Sequence, residues 1–371
     1  MTLSIANLAR LVPLQGVCYS PAPSDDTPAP PQKYFDTDFT NSCFPLIWGA
    51  GPEGSVTGRN DLATISGTGA NLLHLYDWSV PPAPGASPGQ YERSHTSFLQ
   101  AADAAGLRVI VPVSNYFLGE LASGDTATVK TQMTAMVTEV YDGGTTPMAA
   151  AGLWGIANEF DLAGNFSATT VAQAMALLVE IEADLGIPAE NVLPICAPVS
   201  FAATGGLPPA ISAMQDLKAA IDDNGELSSD FWSTRIVGAL NSFNDGDFLA
   251  SYIADTFPTY FPDTPFFFSE MGINLGAVPD EDAQATWVAA QLAKTVPSGQ
   301  FLGRCVFQFL DQTAMKTGTE ATFGMTKFDN TTPPPTGTIP ADYVPGGGET
   351  YPVDALAQKP LFATVKEAYS G

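Results

Sequence analysis

The chain is short of positive charge, of histidine, of closely spaced cysteines and of long apolar runs. Lysine and arginine number 14 against 39 aspartates and glutamates, a formal net charge of -25. Such a chain offers no cationic footprint for nucleic acid or an anionic membrane surface, so neither is expected as a partner. A neutral sugar polymer would not be repelled. With only two histidines, His74 and His95, a histidine-rich zinc site is excluded, and no metal or cofactor is expected. Cys18, Cys43, Cys196 and Cys305 contain no CxxC pair. Three lie in apolar runs where a buried free thiol is the ordinary reading, and a Cys18–Cys43 disulfide stays open. No apolar run reaches the roughly 18 residues of a membrane span. The first residues, Met1 to Asn7, lack a basic head followed by an apolar run. No leader is therefore expected, and the chain reads as cytoplasmic or as an exported mature chain. There is no G-x-S-x-G elbow, no P-loop lysine and no early GxGxxG.

What is present is apolar and segmented. Hydrophobic residues make up 45% of the 371, enough for a substantial core. Short apolar runs alternate with amphipathic stretches. The runs predict strands at residues 11–19, 71–76, 107–113, 152–159, 192–199, 235–241, 265–269 and 302–310. Helices are expected at 60–68, 92–105, 125–140, 168–185, 211–221, 247–255, 281–295 and 362–369, where apolar residues recur at helical spacing. Continuous rather than alternating apolar strands suit a parallel sheet covered on both faces. Eight strand–helix pairs fit a (β/α)8 barrel, read here as one α/β domain over residues 1–371. Long Pro- and Gly-rich loops follow strand 1 and surround strand 8. An open doubly wound sheet is the rival.

Two runs end alike. Gly152-Leu153-Trp154-Gly155-Ile156-Ala157-Asn158-Glu159 closes the fourth strand, and Pro265-Phe266-Phe267-Phe268-Ser269-Glu270 closes the seventh. Carboxylates at the upper ends of these strands can face each other across a barrel mouth, where such folds do chemistry. Glu159 and Glu270 are therefore the candidate catalytic pair of a retaining glycosidase, which needs carboxyl groups roughly 5 Å apart. Asn158, beside the acid, could hold a sugar 2-hydroxyl. Asn115 follows the third strand and could reach a hydroxyl or cap a turn. Asn241, and Gln308 with Asp311 near the eighth strand, are further polar candidates. Trp48 and Trp78, with Tyr116 and Phe160, could stack on sugar rings or anchor loops by burial. Asp77 and Asp161 sit beside the expected mouth.

Trp154-Gly155-Ile156-Ala157-Asn158-Glu159 resembles the acid/base motif of the large clan of retaining (β/α)8 glycosidases. Phe267-Phe268-Ser269-Glu270-Met271-Gly272-Ile273-Asn274 resembles the nucleophile segment of the fungal β-1,3-glucanosyltransferases. The likeness extends to Gly16-Val17-Cys18-Tyr19, to Asn71-Leu72-Leu73-His74-Leu75-Tyr76, to 95–111, and to 303–309 with Phe323-Gly324-Met325. It implies Glu159 as acid/base, Asn158 as 2-hydroxyl ligand, Glu270 as nucleophile and Tyr76 on the donor side, acting on a β-linked glucan. Met271, Phe243 and Phe307-Gln308-Phe309 depart from that pattern, where sugar-facing hydroxyls or aromatics are usual. The fungal cysteine-rich appendage and lipid-anchor tail are not seen. A catalytically silent carbohydrate-binding barrel and a β-glycanase of other linkage remain alternatives. An aldolase or metal hydrolase would need a strand-end lysine or ligand cluster, and neither is visible.

Overall fold

The computed structural model describes residues 8, 11–25, 40, 44–51, 53–78, 94–162, 165–314, 316–339, 341, 348 and 350–370. The strands are β1 (Leu14–Cys18), β2 (Leu72–His74), β3 (Arg108–Val113), β4 (Ala151–Ile156), β5 (Ile195–Cys196), β6 (Val199–Ser200), β7 (Ile236–Ser242), β8 (Phe266–Met271) and β9 (Phe301–Val306). Each pairs in parallel with its neighbours, and β1 against β9 closes the ring. Because β5 and β6 together fill one position, the ring is a closed barrel of eight parallel strands. The open-sheet alternative is excluded by that closure.

The predicted fifth strand is the one the structure interrupts. Ala197 and Pro198 separate β5 from β6, since a proline cannot donate to the ladder. The break has a use. Pro198 O accepts the backbone N–H of Glu159 at 2.9 Å, tying the fourth strand's end to the fifth position.

Helices cover the outside because their apolar faces match. In Ala168–Asp184, Val171, Met175, Leu178 and Ile181 are all buried at helical spacing, and Ser167 caps the start by accepting Thr170 N. Asp125, Asp245 and Asp280 cap other helices in the same way. Helices Asn115–Ser123 and Phe231–Arg235, a π-helical turn at Tyr252–Thr256 and two small antiparallel ribbons were not anticipated. The ribbons pair β10 (Thr326–Phe328) with β13 (Leu356–Gln358), and β11 (Thr336–Thr338) with β12 (Thr350–Pro352). They form part of the excursion expected around the eighth strand. No helix among the described residues is long and apolar enough to cross a membrane.

Inside the barrel a separate cluster includes Leu14, Cys18, Leu72, Ile110, Leu153, Cys196, Val237, Phe267 and Cys305. Cys18, Cys196 and Cys305 are buried free thiols, while Cys43 lies outside the described residues. Small side chains make room where the ring is tight. At Gly303, φ is +139°, and an added Cβ would sit 2.0 Å from Leu14 O on the closing strand pair. Gly303→Ala is expected to destabilise the barrel by about 3 kcal/mol or more, combining strain and steric clash. Gly299→Ala, with nothing near its Cβ position, should lose only about 1 kcal/mol. Urea melts of the two variants compare them directly; equal losses would contradict this account of closure.

Candidate active site

The C-terminal ends of the strands converge on one rim, and two backbone irregularities aim the carboxylates there. On β8 the register with β7 shifts from Leu240↔Phe268 to Asn241↔Glu270, leaving Ser269 as an extra residue. A bulge of this kind turns the following side chain, here Glu270. After β4, Ala157 and Glu159 both adopt the left-handed region, with φ of 63° and 50°. Non-glycine residues hold that conformation only where surrounding contacts enforce it.

Those contacts form a chain of amides. Asn115 Nδ2 donates to Asn158 O at 3.0 Å, and Asn158 N donates to Asn115 Oδ1 at 2.9 Å. Asn241 Nδ2 donates to Asn158 Oδ1 at 3.1 Å, while its Oδ1 accepts Ser269 Oγ at 2.7 Å. One hydrogen-bonded path thus runs from β3 through β4 and β7 to the residue preceding Glu270. His74 Nδ1 donates to Ser269 O at 2.9 Å, and Cys18 Sγ donates to the same oxygen at 3.3 Å. Burial lowers the His74 pKa to about 4, so the ring is neutral near pH 7.

Tyr76 Oη donates to Glu270 Oε1 at 2.8 Å. Glu270 is only 5% exposed. Burial, with the Glu159 charge next, pushes its pKa up to about 8; Tyr76 and Lys316 act in the opposite sense. Glu159 is half-buried, and burial raises its pKa too, opposed by the Asn241 amide and added to by Asp161. The Glu159 charge therefore disfavours ionisation of buried Glu270, and the two carboxyls resist carrying full charge together. Beside them lies a patch of rings. Phe307 meets Phe323 at 5.0 Å, Phe243 at 5.9 Å and Tyr76 at 6.4 Å between centroids. Phe243 is 37% exposed and offers a free apolar face at the mouth.

The structure brings together Glu159, Glu270, Asn158, Tyr76 and Asn241, but several expected sugar contacts need correction. Asn115 uses both amide atoms on the Asn158 backbone, so it positions that residue rather than facing a ligand. Asn241 is 1% exposed and bridges Asn158 to Ser269. Trp48 and Trp78 are buried: Trp48 packs edge-on against Phe98, and Trp78 stacks on His95 at 4.0 Å. Neither indole has the open face that stacking on a sugar requires. Phe160 is likewise buried. Asp311 pairs with buried Lys359 at 3.1 Å, and Asp161 accepts Ser200 N and Oγ; both fasten loops. Gln308 is buried just past the end of β9, and its Nε2 has no partner among the described residues. His95 is a packing residue, paired with Glu139. Sequence reasoning missed Lys316, whose Nζ lies 5.4 Å from the Phe307 centroid. No cluster that could hold a metal ion occurs among the described residues.

No family model and no curated protein matches this sequence. Solved structures do match its fold. An endo-β-1,4-glucanase of Xanthomonas axonopodis pv. citri aligns over 95% of this chain and 97% of its own, with TM-score 0.52 and 14% identity. A β-glucosidase aligns over 96% and 98%, with TM-score 0.50 and 13% identity. A β-galacturonidase of Eisenbergiella tayi gives 0.50 and 13% over 97% of this chain. This chain spans 51% of that protein's length. All three are glycoside hydrolases, and at these identities the likeness establishes the shared barrel.

The raised Glu270 pKa has a consequence for stability. Between the ordinary carboxyl range and about pH 8 the folded protein binds a proton that the unfolded chain does not, so stability falls as pH rises through that window. Glu270→Gln removes the buried ionisation. It should stabilise the fold by up to about 4 kcal/mol above pH 8 and by little near pH 4. Denaturant melts at the two pH values measure this, and an equal effect at both would contradict the assignment.

Proposed function

We propose that the chain is a retaining β-glycosidase acting on a β-linked gluco-oligosaccharide, with β-1,3-glucan the first substrate to test. The observation that carries this reading is the pair at the rim, Glu159 and Glu270, where the Glu159 charge raises the pKa of buried Glu270 and Tyr76 hydrogen-bonds Glu270. Such a pair matches the two forms that double displacement needs, one acid and one anion. Tyr76 donates to Glu270 Oε1, opposing the burial that raises the Glu270 pKa to about 8; in this reading Glu270 is the nucleophile, attacking in the state where the proton rests on Glu159, the acid.

The steps follow from those roles. Glu159 gives its proton to the glycosidic oxygen as the bond to the anomeric carbon breaks. A Glu270 oxygen attacks that carbon and forms a glycosyl ester. Glu159, now a carboxylate, takes a proton from water or an acceptor hydroxyl, whose oxygen displaces Glu270. The Asn158 side chain, held by Asn241, stands where a 2-hydroxyl contact could strengthen in the transition state. Phe243, partly exposed, offers an apolar face to a sugar ring. Water and sugar acceptors give different products from the same ester. Products distinguish the two routes.

The test is product analysis with linear β-1,3-gluco-oligosaccharides, followed by a panel of β-linked glycans. Glu159→Gln should lower kcat/KM by about 10²–10⁴ on sugars with poor leaving groups and much less on activated aryl glycosides. Glu270→Gln should abolish turnover on both. Products longer than the substrate would show transfer, and shorter products alone would show hydrolysis. Binding without turnover across the panel would instead support a silent carbohydrate-binding barrel, a reading that the hydroxyl-poor Phe243–Phe307–Phe323 patch favours.

A further inference from the structure

Acidic residues outnumber basic ones 39 to 14, so a lysine in this chain rarely lacks a partner. Lys130, Lys218, Lys294, Lys327 and Lys359 each pair with a carboxylate. Among the described lysines only Lys316 and Lys366 form no ion pair. Lys366 is exposed on the terminal helix Pro360–Ser370, whereas Lys316 is half-buried beside the candidate site. Its ammonium lies over the Phe307 ring at 5.4 Å, a contact that holds a cation without neutralising it. Phe307 in turn meets Tyr76, the donor to Glu270.

The segment carrying Lys316 is fastened on both sides. Asp311 pairs with buried Lys359 and accepts Gly324 N at 2.6 Å. Gln312 N donates to Ala321 O, and Lys316 N to Gln312 O. Thr322 accepts Leu275 N through Oγ1, and its carbonyl accepts Gln284 Nε2. The lysine is therefore placed by structure rather than left to wander.

We propose, building on the glycosidase reading, that Lys316 is the counter-charge of the Glu159–Glu270 pair, stabilising the singly negative state in which Glu270 can attack. The surrounding charges favour this role over capture of an anionic substrate. Glu320 acts on both glutamates and Asp161 on Glu159, each adding negative charge, so the field around the ammonium is net negative. Tyr76, Cys18 and Cys305 are the other titratable groups acting near Glu270, and all are neutral near pH 7. Lys316 is a cation that acts on both glutamates, lowering the pKa of each.

The test reads the pair without substrate. In the full chain carrying ¹³C at glutamate Cδ, the Glu270 and Glu159 resonances are assigned by their loss in Glu270→Gln and Glu159→Gln. Both apparent titration midpoints should rise by about half a pH unit to one unit in Lys316→Met. They should stay within a few tenths in Lys316→Arg and fall in Glu320→Gln. Unchanged midpoints in Lys316→Met would overturn the proposal. So would a rise in Glu320→Gln. With an aryl β-glucoside, the whole pH profile of kcat/KM should move upward in Lys316→Met, a loss of roughly three- to tenfold on the acid side. A uniform loss at every pH would make Lys316 merely structural. Selective loss on a β-glucuronide without moved midpoints would make it a substrate receptor; either outcome contradicts the proposal. Wild type that turns over no glycoside defeats the glycosidase reading, while the titration still decides the role of the charge.

Discussion

Two carboxyl groups at the mouth of a closed barrel, one fully enclosed and one half-buried, cannot both carry full charge at neutral pH without help. Water is largely withdrawn from Glu270, and its neighbour Glu159 repels its charge. The neighbouring groups answer that constraint. Tyr76 donates to one carboxylate, the Asn241 amide acts on the other, and Lys316 supplies positive charge to both. Glutamine at either position would relieve the constraint and remove the chemistry with it. The arrangement is thus strained for stability and suited to a reaction that needs one acid and one anion in reach of the same atom.

Placement is a backbone matter as much as an electrostatic one. The bulge at Ser269 and the left-handed residues Ala157 and Glu159 depart from regular strand geometry at the two sites where the carboxylates emerge. Asn115, Asn158, Asn241 and Ser269 then link β3, β4, β7 and β8 into one hydrogen-bonded arc. His74 and Cys18 grip the Ser269 carbonyl from below, and neutral His74 adds no charge to the pair. Disturbing one member of this arc moves the others, since each amide has its oxygen or nitrogen committed to a neighbour.

The barrel and its two glutamates were legible because both depend on local patterns. Apolar runs bounded by turns mark buried parallel strands, and a carboxylate at the end of such a run stands at the rim. The arc of amides was not legible, because its bonds join residues 43, 83 and 28 positions apart. For the same reason Asn115 and Asn241 read as sugar contacts when they are braces. Trp48 and Trp78 misled because loop tryptophans look the same in sequence whether open or buried; here Phe98 and His95 cover them. Pro198 carried a signal that could have split the fifth strand. Lys316 carried none, being one lysine in an irregular loop whose meaning comes from the ring beneath it.

The central claim is that Glu270 forms a bond to the sugar. Intact-mass analysis after incubation with an activated 2-deoxy-2-fluoro-β-glucoside tests it most directly, because the fluorine slows breakdown of the glycosyl ester. The account predicts a single adduct that maps to the peptide containing Glu270 and forms in parallel with loss of activity. Turnover of natural substrate without any adduct and with inversion at the anomeric carbon would contradict it, as would an adduct on a different residue.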